Sequence, residues 1–255
     1  MKSEKYLEKR LHAEELFHNK KYMSEDNALP SHYKLQPTVF IYEYMKEMIG
    51  DISNKKVLEY GCGDGWITID LAKKAKTLDT FDISNTAIQR TQQELAKRRL
   101  DDRCRIRKMS AEKLDYYDKS FDIVFGFAIL HHLDLKKAIA ELYRVMKPGG
   151  RAIFAEPLGT NPILNMYRKA TPQYRTKDEE PLNINNFGMM LDKFSAFKHK
   201  EYYLTSLLPL SISNMKALFN LSARMFTVTR KIDQYLLKIS MLKRFAWYSI
   251  MIITK

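Results

Sequence analysis

The stretch Val57-Leu58-Glu59-Tyr60-Gly61-Cys62-Gly63-Asp64-Gly65 limits the architecture of this chain more than any other feature. A short apolar run enters a glycine turn, and an amphipathic helical pattern then runs from Trp66 to Ala75. Glycine reaches backbone conformations closed to other residues and lets a ligand come close to the main chain. A strand, such a turn and a helix N-terminus together make a nucleotide-type site. The spacing is G-x-G-x-G, whereas a dinucleotide site uses G-x-G-x-x-G, and Trp66 takes the place of the last dinucleotide glycine. Glu59 precedes the turn. A carboxylate there repels a pyrophosphate and suits the ammonium of an amino-acid ligand.

The rest of the chain supplies the frame for that turn. Strands are predicted at Lys56–Tyr60, Thr77–Ile83, Arg103–Met109, Ser120–Phe127 and Arg151–Ala155. Helices fall between them. Ser84 caps one through Arg99, and Asp134 caps another through Met146 that Pro148-Gly149-Gly150 ends. Alternation of this kind means an α/β fold, a mostly parallel sheet with helices on both faces. Ligands in such sheets bind at the carboxyl ends of the strands. Phe197–Leu208 contains a sixth strand with its flanks, and Ala246–Thr254 ends the chain as a seventh. Residues 1–50 read as a helical cover broken near Ala28-Leu29-Pro30, with Gly50 closing the helix that starts near Val39. Residues 51–156 form the core. Residues 157–245 form a substrate-side insertion with helices, and 246–255 the final strand of the sheet.

Chemistry-bearing residues follow the strands. Asp82, with Ile83 beside it, ends the second strand 21 residues after Gly61, the distance at which a carboxylate holds a ribose diol. Ser110-Ala111-Glu112 follow the third strand and can frame a flat base, although Ser110 is equally suited to capping a helix. Phe127 ends the fourth strand, and His131 and His132 follow it. No cysteine and histidine pairs have metal spacing, so no metal is expected.

These motifs resemble the class I S-adenosylmethionine (SAM)-dependent methyltransferases, in particular the ubiquinone/menaquinone-type small-molecule enzymes. The carrying residues are Val57 to Gly65, Asp82-Ile83-Ser84, Phe121-Asp122-Ile123-Val124, Leu130-His131-His132-Leu133 and Arg144-Val145-Met146-Lys147-Pro148-Gly149-Gly150. The resemblance covers about residues 37–156. It implies a Rossmann-like seven-stranded sheet and SAM as cofactor. Gly61, Gly63 and Gly65 would line its methionine part, with Glu59 and Trp66 beside them. Asp82 and Ile83 would meet the ribose, Ser110, Ala111 and Glu112 the adenine, and Phe127 the cofactor's edge. Ser110 departs from the family's usual acid. The run from Glu156 to Leu182, rich in proline, arginine and acid, resembles a narrower bacterial subgroup.

Methyl transfer from a sulfonium is an in-line displacement, so placement supplies much of the catalysis. A base is needed only where the acceptor must lose a proton, and His131, His132 and Glu156 are the candidates. Tyr167, Arg168 and Arg175 are the candidate substrate contacts, and Tyr22, Tyr33 or Tyr167 part of a cover. A small-molecule acceptor, hydrophobic or anionic, is the first expectation. A nucleic-acid acceptor and a non-catalytic SAM-binding module are the alternatives. No Asn-Pro-Pro-Tyr-type motif follows the fourth strand, which argues against nucleic acid.

The net charge of +13 is distributed as +1 over 1–56, +3 over 57–156 and +9 over 157–255. A local excess suits an anionic partner or a solvated basic face. Residues 213–245 combine apolar positions at helical spacing with Lys216, Arg224, Lys231, Lys238 and Lys243. The pattern fits a helix packed on the sheet, or one that also touches an anionic membrane. Two cysteines and a charged N-terminus without a signal-peptide core point to the cytoplasm.

Overall fold

The computed structural model describes residues 4–23, 37–189, 191–213 and 215–255. Tyr33 and the predicted break at Ala28-Leu29-Pro30 lie outside these residues. Helices α1 (Glu4–Met23) and α2 (Pro37–Ile49) come first, and the Gly50 amide closes α2 on the Lys46 carbonyl. The alternating core follows: β1 (Lys56–Tyr60), α3 (Trp66–Lys74), β2 (Thr77–Asp82), α4 (Asn85–Lys97), β3 (Cys104–Lys108), β4 (Phe121–Phe127), α5 (Leu135–Val145) and β5 (Met146–Pro157). Beyond it lie α6 (Pro162–Ala170), α7 (Ile184–Met189), β6 (Ala196–Tyr202), α8 (Leu207–Ile212), α9 (Phe219–Leu236), α10 (Ser240–Lys243) and β7 (Tyr248–Thr254). Ser84 caps α4 by accepting from the Ala87 amide at 3.1 Å.

The sheet has seven strands in the order β3-β2-β1-β4-β5-β7-β6. The strands β1 to β5 pair in parallel, and β7 runs antiparallel to both β5 and β6. The chain moves outward from β1 through β2 to β3, then returns to place β4 on the other side of β1. That reversal opens a crevice at the carboxyl ends of β1 and β4. Side chains alternate between two apolar layers, as strand geometry requires. Val57, Leu78, Phe125, Ile153 and Ile250 meet α2, α3 and α9 on one face. Leu58, Phe81, Val124, Phe154 and Met251 meet α5 and α7 on the other.

Two expectations need correction. Pro148-Gly149-Gly150 does not end α5, which stops at Val145; it lies inside β5. Gly149 there has φ +72°, and the register with β4 shifts between Phe121 and Ile123, so the glycines kink a strand. The sixth strand expected within Phe197–Leu208 stops at Tyr202, because Tyr203 turns with φ +65° and α8 begins at Leu207. β6 also lies inside the 157–245 stretch while belonging to the core sheet, so that stretch is not a continuous insertion.

Glu59 faces α3 from the middle of the buried sheet. Its carboxylate accepts the Thr68 hydroxyl at 2.6 Å and ties β1 to α3 beneath the glycine turn. Burial pushes its carboxyl up to about 8, more than the hydrogen bonds from Thr68 and Thr80 pull it down. The folded protein therefore holds Glu59 neutral where the unfolded chain, near 4.5, ionises it. Its contribution to stability is complete below the unfolded value and is lost as pH rises through the folded one. In ligand-free protein, Glu59→Gln should keep its melting temperature between about pH 6 and pH 9 while the wild type falls. Parallel pH profiles of the two proteins would contradict this.

Candidate functional site

The glycine turn sits at the mouth of the crevice between β1 and β4. The Cys62 amide donates to Phe81 O, and the Gly65 amide turns back to Cys62 O at 2.9 Å. Gly61, Gly63 and Gly65 all have positive φ, at +76°, +53° and +84°. A Cβ on Gly65 would stand 2.9 Å from the Thr91 hydroxyl of α4, so only glycine fits there. Asp82, at the end of β2, receives the Gly63 amide on Oδ2 at 3.0 Å and the Ser84 amide on Oδ1 at 2.9 Å. Ile83 is half-buried beside it. Trp66 opens α3 partly exposed, with its ring edge-on to Tyr42 and Phe127. Phe127 in turn packs on Tyr248. After β3, Ala111 is buried, and the Glu112 amide closes a turn on the Ser110 hydroxyl at 3.2 Å.

Helix α1 lies across these strand ends. Arg10 pairs with Glu112 and also donates to His132 O at 3.0 Å. The same Glu112 oxygen accepts the Asp134 amide at 2.9 Å. The Glu112 side chain therefore holds α1 and the segment after β4, a role its expected adenine contact did not include. Glu15 pairs with Lys108 of β3. Asn19 accepts from the Ser84 hydroxyl at 2.7 Å and the Thr86 amide at 3.3 Å. The Tyr22 hydroxyl ends 3.0 Å from where a Gly63 Cβ would stand. Lys21 faces Asp64, Asp82 and Glu179, and burial lowers its ammonium pKa against their attraction. Of this roof, sequence reasoning named only Tyr22. Arg10, Glu14, His18 and Asn19 were missed.

A second cluster stands beyond the end of β4. Glu156 is fully buried near the end of β5. Its Oε1 accepts the amides of Ile129 at 2.9 Å and Leu130 at 2.8 Å, and its Oε2 lies 2.6 Å from His131 Nδ1. Burial pushes Glu156 up to about 7 and His131 down to about 3. The imidazole of His131 is therefore neutral at physiological pH. Its Nδ1 shares a hydrogen bond with Glu156. Burial also brings His132 down to about 4. Glu14 reaches this cluster from α1. Its Oε2 lies 3.5 Å from His18 Nε2 and 3.2 Å from His132 Nδ1. Burial raises the Glu14 carboxyl, but the neighbouring His132 and His18 rings and the Thr176 hydroxyl outweigh it and hold the group well below the usual carboxylate range. No metal was expected, yet two groups of donors converge among the described residues: Glu14, His18 and His132, and His131, His132 and Glu179.

Two of the expected substrate contacts, Arg168 and Arg175, also bond to their own segment. Arg168 donates to Leu158 O at 2.9 Å and to Asn165 Oδ1 at 2.7 Å. Arg175 donates to the carbonyls of Arg168 and Thr171 and lies 3.8 Å from Glu179. These guanidinium groups brace the segment after β5, since loop carbonyls without secondary structure need donors. Tyr167 lies partly exposed on α6. The braced segment still adjoins the cluster, where the Glu180 amide donates to His131 O at 2.8 Å.

Comparison with known proteins places this geometry. Residues 58–154 match the family described as methyltransferase domain. The demethylmenaquinone methyltransferase of Lactiplantibacillus plantarum is 35% identical over 108 residues, 41% of this chain and 46% of that protein. The chain spans less than half the length of several curated relatives that it matches. Among solved structures, phosphoethanolamine N-methyltransferase 2 of Haemonchus contortus superposes with a TM-score of 0.62 at 16% identity, covering 84% of this chain and 52% of that one. Geranyl diphosphate C-methyltransferase of Streptomyces coelicolor A3(2) superposes with a TM-score of 0.61 at 12% identity, covering 92% and 83%. Both structures hold S-adenosylhomocysteine. Residues 58–154 of this chain thus match the methyltransferase domain family, and the chain shares the Rossmann-like fold of these enzymes.

Proposed function

We propose that this chain is a SAM-dependent methyltransferase acting on a small-molecule acceptor with an apolar body. The observation that carries the reading is the glycine turn at the switch point, with Asp82 held against it by the Gly63 amide. The residues fit the cofactor. Side chains at Gly61 and Gly63 would fill the space before the turn, falling 2.9 Å from Ile129 Cδ1 and 3.0 Å from Tyr22 Oη. Gly61, Gly63 and Gly65 would border the methionine part, with Glu59 below and Trp66 and Phe127 beside it. Asp82 and Ile83 would hold the ribose, and Ser110, Ala111 and Glu112 would border the adenine. When bound, SAM supplies an electrophilic methyl group already activated by its sulfonium.

The chain's own contribution is placement and exclusion of water. Trp66, Phe127 and Tyr248 form a rigid aromatic wall beside the turn. Helix α1 roofs the strand ends through Arg10, Asn19 and Tyr22. Glu156 holds the orientation of His131, and the pair is the candidate proton acceptor where the methyl acceptor must lose a proton. The apolar wall favours the kind of acceptor that the quinone and isoprenoid relatives are named for. Asp82→Ala should weaken SAM binding at least about tenfold, the loss of roughly one charged hydrogen bond. Unchanged affinity in calorimetry would break the ribose assignment. With methyl-labelled SAM and a fractionated extract, label should enter the organic phase, and label in RNA would overturn the acceptor class.

The same reading includes peripheral contact with an anionic membrane through α9 and α10. Helix α9 buries Ser222, Phe226 and Asp233. Phe219, Leu221, Val228, Ile232 and Tyr235 remain exposed on it, followed by Ile239 and Met241. Arg224, Lys231 and Lys238 are exposed among them. Apolar and basic groups interleaved in this way suit an interfacial helix. No described helix is long and apolar enough to cross a membrane. The protein should sediment with phosphatidylserine vesicles at low salt and not with phosphatidylcholine vesicles. Absence from both pellets would remove the membrane from the account.

A further inference from the structure

We propose that Glu14, His18 and His132 form a site for one divalent transition-metal ion of the zinc class, which clamps α1 onto the core. The donor set is two imidazoles and one carboxylate, the mixture that borderline-soft ions such as zinc accept. Glu14 and His18 stand four residues apart on α1, so they share a face of the helix. His132 is supplied by the segment after β4.

The spacing suits such an ion. Metal–ligand bonds of about 2.0–2.2 Å put neighbouring ligand atoms about 3.0–3.5 Å apart. Glu14 Oε2 is 3.5 Å from His18 Nε2 and 3.2 Å from His132 Nδ1, and the three donor atoms lie within 4.8 Å of one another. A small inward turn of the two rings, now edge-to-face with centroids 5.0 Å apart, completes the triangle.

An independent observation points to a missing ligand. Glu14 Oε2 and His132 Nδ1 are buried, yet neither makes a hydrogen bond among the described residues, because the two atoms are close but not aligned. Glu14 is only 4% exposed. Leaving such atoms unsatisfied in the interior is unfavourable, and a bound cation satisfies both. The supports that ligands usually have are present. Thr176 donates to the other oxygen of Glu14, and Arg10 holds the His132 carbonyl. Glu179, grouped with His131 and His132 on the adjoining side, places a further carboxylate beside the site. Three protein ligands leave a coordination position open, the arrangement of a site that also takes an exogenous oxygen ligand. Metal binding here does not depend on the identity of the methyl acceptor.

The test uses the full chain, stripped with a chelator and dialysed against zinc. Elemental analysis should find one ion per chain, and zinc should raise the melting temperature. Glu14→Gln and His18→Ala should each weaken zinc binding at least about tenfold. His199→Ala, in β6 and paired with Glu201, should leave it unchanged. X-ray absorption of zinc-loaded wild type needs no variant and should show only nitrogen and oxygen neighbours. Absence of stoichiometric zinc, binding that survives both α1 substitutions, or a sulfur shell from Cys62 or Cys104 would each overturn the site.

Discussion

The hydrogen bond from the Gly63 amide to the Asp82 carboxylate joins the ends of β1 and β2, and the site is arranged around that joint. It fixes the glycine turn against the neighbouring strand. Asp82's other oxygen holds the Ser84 amide, and Ser84 starts α4. Thr91 of α4 then closes on the turn from behind, donating to Gly63 O. Turn, carboxylate and helix start are thus one unit, and it stands where the sheet reverses its strand order. A ligand arriving at that reversal meets main chain at the turn, a carboxylate at its side and an aromatic wall at Trp66 and Phe127.

The second organising feature is the roof. Helix α1 reaches four successive strand ends, with Tyr22 at the turn after β1, Asn19 at the cap after β2, Arg10 and Glu15 at β3 and its following loop, and Glu14 at the histidines after β4. Most of these contacts are polar. A roof held by hydrogen bonds and ion pairs can separate from the core more readily than one held by apolar packing, because its groups are also satisfied by water. Its position over the crevice covers the strand ends beside the glycine turn.

Much of the core was legible in sequence because its signals are local. Strand β1 has the predicted bounds, and Ser84 and Asp134 cap the helices expected of them. Asp82 stands beside the turn at the anticipated strand end. What was misread depended on context. Pro148-Gly149-Gly150 carries a helix-stop signal, but β4 lies alongside and recruits the segment as a kinked strand. Arg168 and Arg175, expected as substrate contacts, also donate to carbonyls of the irregular segment, which sequence spacing does not show. The cluster of Glu14, His18 and His132 was invisible because its members lie far apart in the chain. Only the i, i+4 spacing of Glu14 and His18 hinted that they act together.

Amide hydrogen exchange with and without SAM tests the central claim most directly, because it reads the location of binding without assuming an acceptor. Binding at the switch point predicts slowed exchange over residues 60–66, 82–87 and 109–112, with α1 protected in the same experiment. Protection absent from the glycine turn, or confined to the α9 and β6 side of the molecule, would contradict the account.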